Sequence, residues 1–225
     1  MSTQSIYYNP GTQPIVFAAA AAAWVKNTAY LTGILVTSGG STYFCLVGHT
    51  STNADDGFTT DLAAGKWLLC TPILWTPGAT PLAITKTRIS AVWDRGAGHL
   101  PAEYKWLAST KWATTVVAGE TLRLHLITAD ALANPALTEQ YLTFGDADLA
   151  ATSDILGAGG CERMGDIIAA SATDQLWLGR GRISIFDRYV GIGGYNNSAA
   201  HALTSVASNH WVMFTSIPSV IEAAA

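Results

Sequence analysis

From Trp24 onward the chain is a succession of short apolar or alternating runs broken by Gly, Asn, Asp and Pro, the pattern of short β-strands joined by turns. Ile34-Leu-Val-Thr and Tyr43-Phe-Cys-Leu-Val flank Ser38-Gly-Gly-Ser41, which predicts a hairpin. Asn53 to Gly57 reads as a polar loop and Lys66 to Cys70 as a closing strand. Further along, Thr87–Trp93, Leu122–Ile127, Gln175–Leu178, Arg182–Phe186 and Trp211–Thr215 are β-prone. Leu122-Arg-Leu-His-Leu-Ile alternates as a half-buried strand does, with His125 on its polar side. Ala118-Gly-Glu120, Gly179-Arg-Gly181 and Gly191-Ile-Gly-Gly194 read as punctuation between strands, and Ala131 to Ala151 as a long excursion with a helical turn. The pattern predicts a mainly β protein: a small three-stranded, aromatic-cored N-terminal module followed by a β-sandwich or jelly-roll-like domain.

The prolines at 72, 77 and 81 interrupt the pattern and mark a boundary. Residues 1–23 are expected to be an extended arm with an alanine-rich spacer (Ala18 to Ala23), residues 24–71 the small module, and residues 72–225 the sandwich. The apolar run from Ile15 to Val25 is too short to cross a bilayer, and no basic residue precedes it. No membrane partner and no cleaved export signal are expected, with synthesis in the cytoplasm.

Composition sharpens this. Of 225 residues only 12% are charged while 49% are hydrophobic, so a surface largely covered by neighbouring chains is expected. The twelve Lys and Arg are scattered and the net charge is −4, which argues against nucleic-acid binding.

Catalytic and metal signatures are lacking: there is no nucleophile elbow, phosphate loop, zincin motif or paired-cysteine spacing. No enzyme activity, metal or cofactor is expected. Five histidines are dispersed, and His125 is expected at a surface or an interface. Asp146 and Asp148 resemble a fragment of a calcium loop that lacks its later carboxylate. Arg180 and Arg182, alternating with Gly179 and Gly181, suit an anion cradle or, more readily, intersubunit ion pairs. Cys45 reads as a buried free thiol, with a bond to Cys70 across the module as the alternative.

One stretch carries a family resemblance. Trp24, Tyr30 to Gly33, Gly39-Gly40, Tyr43 to Cys45, His49-Thr50-Ser51 and Gly65-Lys66-Trp67 together resemble the small chitin-binding-type carbohydrate-binding modules. They are most similar to the version found as an accessory piece in tailed-phage structural proteins. A softer similarity to the ends of phage virion proteins runs from Tyr195 to Pro218. The resemblance implies two readings of Trp24, Tyr43 and Trp67: faces that stack on a pyranose, or the core of a module too small to have another, which is preferred.

It also implies a virion structural protein, assembled in the host cytoplasm and sited on the head surface. The expected role is a capsid decoration protein, a homotrimer that docks on the major capsid protein and cements the shell. The alternative is a tail-fibre or tail-tip component whose module binds host-surface glycan.

Overall fold

The computed structural model describes residues 13–77, 82–96, 102–129, 147–149, 161–170 and 175–217. The protein is mainly β, with one short α-helix among the described residues. The first strand, β1 (Ile15–Ala18), is followed by β2 (Ala22–Ala23), β3 (Ala29–Tyr30), β4 (Leu35–Ser38), β5 (Ser41–Cys45) and β6 (His49–Thr50). Helix α1 (Gly57–Ala63) and β7 (Trp67–Leu69) complete the small module. Then come β8 (Thr71–Leu74), β9 (Thr87–Ile89), β10 (Trp93–Asp94), β11 (Ala102–Thr110), β12 (Thr121–Ala129) and β13 (Ala147–Leu149). The last are β14 (Cys161–Ile168), β15 (Trp177–Ile185), β16 (Tyr189–Asn196) and β17 (Trp211–Ser216).

Two sheets face each other across the main core. One has the order β15-β11-β17-β1-β8, the other β13-β9-β16-β12-β14, with β10 also paired to β16. Phe17, Trp106, Val212 and Phe214 from the first sheet meet Leu122, Leu124, Leu126 and Ile192 from the second. This is a β-sandwich.

The module forms a third layer. Its sheet, β2-β4-β5-β7, lies on the outer face of the first sandwich sheet, and β3 and β6 make a separate two-stranded ribbon. Leu35, Phe44, Leu68 and Cys70 from the module pack with Val16, Ala18, Trp211 and Met213 from the sandwich. Strand β1 shows why: Ile15 and Phe17 point into the sandwich core while Val16 and Ala18 point into the module interface, so all four are buried.

Several expectations are corrected here. Ile15–Ala18, read as arm and spacer, is a strand paired antiparallel to β17 and parallel to β8. Ala22 and Ala23 pair with β4, where the small side chains need no depth of core. The boundary at residue 72 falls inside β8, an edge strand, where the missing N–H of Pro72 is tolerated. The module has four strands in its sheet, not three, and a helix where the sequence shows only a polar loop and its continuation. It is packed down on the sandwich.

The glycine runs Gly179-Arg-Gly181 and Gly191-Ile-Gly-Gly194 are strand interiors, not turns. Trp106 lies against β15: a Cβ at Gly181 would stand 2.6 Å from its Nε1, and one at Gly179 3.3 Å from its Cζ3. Gly194 makes the same room for Trp75, at 2.7 Å. Gly179, Gly181 and Gly194 lack side chains because indoles cover them. The Gly39-Gly40 hairpin forms as predicted, with φ of 56° and 78°, the paired positive values of a type I′ turn.

His125 is also corrected: it is fully buried. Leu124, His125, Leu126 and Ile127 of β12 are buried in succession, so both faces of the strand are covered there. Asp146, the arm at 1–12 and most of 131–151 lie outside the described residues; Asp148 is in β13.

Candidate carbohydrate-binding surface

Strand alternation decides which side chains of the module face outward. Along β5, Phe44 turns toward the sandwich and meets Trp211 edge-on at 5.0 Å. Tyr43 and Cys45 turn the other way, into a second small cluster with Tyr30, Val36 and Trp67. Helix α1 lays Phe58 over that cluster. Phe58 is the hub: its ring lies 4.7 Å from Tyr43, 5.8 Å from Trp24 and 5.9 Å from Trp67.

The three predicted residues therefore sit around one ring but not at one depth. Trp67 is buried, edge-on to Tyr30 and to His49, each at 5.2 Å. Trp24 and Tyr43 are half-buried, as is Phe58 itself. Trp67 is foundation; Trp24 and Tyr43, carried by Phe58, form an aromatic surface. Trp24 also rests on Gly57, where a Cβ would come within 3.2 Å of its ring.

A buried charge fixes this arrangement. Asp61 of α1 has no exposed surface, yet its carboxylate accepts from Lys66 Nζ at 2.8 Å, Thr52 Oγ1 at 2.9 Å and Thr52 N at 3.1 Å. His49 Nε2 stands 3.5 Å away. Burial alone would raise the Asp61 pKa; the hydrogen bonds from Lys66 and then Thr52 outweigh it and hold the carboxyl below its ordinary value. His49 Nδ1 lies 2.8 Å from the Val47 carbonyl, which can only accept, so Nδ1 carries the proton. The cluster clamps α1, which carries Phe58, to the segment leading into Trp67. Phe58, Asp61 and the clamp are missing from the sequence reading, although Lys66 lies inside the Gly-Lys-Trp motif.

Residues 23–67 match carbohydrate-binding module family 5/12. The family 5/12 segment starts beside Trp24, ends on Trp67 and contains Phe58 and the whole Asp61 clamp. It leaves the sandwich outside the match. No curated protein and no solved structure matches the chain.

Elsewhere, Ser198, Glu120 and His201 come together as a nucleophilic triad might, but the bonding differs. Ser198 Oγ donates to Glu120 at 2.8 Å and accepts from the His201 backbone N–H at 2.7 Å, while His201 Nδ1 also reaches Glu120 at 2.7 Å. The serine hydrogen goes to the acid, not to an imidazole, which makes the set a loop clasp. Among the described residues no three His, Cys, Asp or Glu are grouped to hold a metal. Among the described residues no helix is long and apolar enough to cross a membrane. Cys45 and Cys70 are free and lie in different clusters on opposite faces of the module sheet, which separates them for bonding.

Proposed function

We propose that this chain is a glycan-binding structural protein in which Trp24 and Tyr43 of the family 5/12 module receive a sugar and the sandwich serves as platform. The partial exposure of these two rings, packed on half-buried Phe58 and, beneath it, buried Trp67, carries the reading. A ring held edge-on from behind presents its free face in one orientation, so stacking on the apolar side of a pyranose loses little conformational entropy. The protein acts by binding and not by catalysis. Its ligand class is a polysaccharide of the kind such modules retain, with chitin as the first probe.

The setting we propose is a tailed-phage particle, on the resemblance of the module and of the chain end. The leading role is a capsid decoration protein, a homotrimer bridging subunits of the major capsid protein. Exposed apolar side chains such as Phe186 at 63% and Val117 at 62% suit a surface that other chains cover. The aromatic pair favours a second role, a tail-fibre or tail-tip component attached to host glycan.

Retention of the intact chain on chitin beads, with calorimetric titration of chitooligosaccharide, tests the binding reading. Trp24→Ala with Tyr43→Ala is expected to abolish retention while the fold persists; unchanged retention overturns it. Release of reducing sugar would overturn the non-catalytic role. Gold labelling of particles decides between head and tail.

A further inference from the structure

The alternation Gly179-Arg180-Gly181-Arg182 has a structural cause on one side and an open question on the other. Both glycines face inward because Trp106 fills the space where their side chains would be. Both arginines consequently point outward and are exposed. In the antiparallel pairing of β11 with β15, Lys105 stands directly opposite Arg182, and Leu107 opposite Arg180. Lys105 is exposed as well. Residues directly opposite share a face, with Cβ atoms about 5 Å apart, and the two arginines follow each other at about 7 Å along the strand.

Three of the chain's twelve cations thus form one row on the outer sheet face, though Lys105 and Arg182 are far apart in sequence. Their side chains make no ion pair or hydrogen bond with any described residue. Glu103 is the carboxylate on the same face of β11, and it too makes no ion pair with a described residue. Like charges directly opposite on a sheet are destabilising. An arrangement that costs stability and is not neutralised by any described residue is suited to an anion from outside.

The position of the row indicates which anion. The family 5/12 module covers this sheet face as far as Leu107, which packs against the interface cluster. Arg180 pairs with Leu107 and so begins where the module ends. Leu178, two residues before it on the same face, is 51% exposed and offers an apolar patch beside the charges. Guanidinium forks match carboxylate, sulfate and phosphate oxygens in pairs. With a net charge of −4 the chain repels a polyanion at long range, so the row works only at contact.

We infer that the glycan bound by this protein is anionic, bearing uronate, sulfate or phosphate groups that seat on Lys105, Arg180 and Arg182 beside the module. The inference rests on the carbohydrate-binding reading above and adds the charge class of the ligand.

Titrating the intact chain with a polyuronate, a neutral chitooligosaccharide and duplex DNA tests it. The polyuronate is expected to bind more tightly than the neutral sugar and to lose about tenfold when salt is raised to 1 M, where charges are screened beyond ~3 Å. The K105Q/R180Q/R182Q variant should lose that advantage, retain neutral-sugar binding and keep its circular dichroism. The W24A/Y43A variant should lose both ligands.

Neutral-sugar binding without any polyuronate preference overturns the charge assignment and leaves the carbohydrate reading standing. Binding of neither glycan overturns both. A charge variant that binds polyuronate undiminished, an aromatic variant that still binds it, or DNA bound as tightly, each overturns the shared site.

Discussion

The indole of Trp211 occupies the space that a side chain at Gly33 would need: a Cβ there would stand 2.4 Å from Trp211 Nε1 and 2.5 Å from the Ser208 carbonyl. Gly33 belongs to the Tyr30–Gly33 turn of the module and has φ of 94°. Trp211 opens the closing strand of the sandwich. The contact joins the module to its platform through a position at which no other residue fits.

Gly33→Ala meets both penalties, a left-handed backbone and a collision with buried atoms. It is expected to destabilise the protein by more than about 2 kcal/mol. Urea unfolding of the variant checks this, and a single shared transition for module and sandwich fluorescence is expected in the wild type.

Trp67 and Trp24 separate under mutation. Trp67→Ala removes a buried indole from a cluster of few residues and should cost about 3–5 kcal/mol. Trp24→Ala acts at a half-buried ring, so the stability loss should be smaller and the loss of glycan retention larger. Parallel melting and chitin-bead assays distinguish the two. Equal stability losses would contradict the division into foundation and surface.

Acid should weaken the fold in two stages. His210 is buried, with Nε2 2.9 Å from the Thr204 carbonyl and Nδ1 3.0 Å from Thr110 Oγ1, so the neutral ring is held. Burial pushes its pKa down from 6.5 to about 4. The unfolded chain therefore binds the proton first, and stability present above pH 6.5 is lost as pH falls toward 4, by as much as about 3 kcal/mol. Asp61 and Glu120, both held below their ordinary values, add a further loss at lower pH. Urea midpoints at pH 7 and 4.5 check this, and His210→Gln should flatten the first stage.

Neither module thiol should react in the native state. Burial pushes Cys45 up to about 11 and Cys70 up to about 12, so almost no thiolate exists at neutral pH. In a C161S background, thiol titration is expected to show no fast reaction until denaturant is added.

The β character of the chain and the Gly39-Gly40 hairpin were legible because they rest on local signals: alternation, and two glycines free to take positive φ. The sandwich strands β14 and β15 were harder to read. Gly179 and Gly181 look like turn residues until Trp106, distant in sequence, is known to lie on them. His125 shows the same limit, since an alternating strand reports one polar face and cannot report that the face is covered. The aromatic site was half legible. Trp24, Tyr43 and Trp67 stand in a recognisable spacing, but their depths depend on Phe58, which reaches them through a helix with no cap signal and only seven residues. Of the cation row, Arg180 and Arg182 were legible as an anion cradle, but Lys105 was not, because antiparallel pairing brings it in from another strand.

Strands β1 and β8 are parallel neighbours, with Ile15 opposite Thr71 and Ala18 opposite Leu74. Parallel neighbours need a crossover, and here the entire module is that crossover. It leaves at one end of the strand pair and returns at the other, so it must lie across the sheet and cannot swing away from it. Ligand occupancy and folding are thereby linked: a sugar on Trp24 and Tyr43 would stabilise the sandwich as well as the module. At a hundredfold excess over Kd the whole chain would gain about 2.7 kcal/mol, and its melting temperature would report binding at a site that most of its strands never touch.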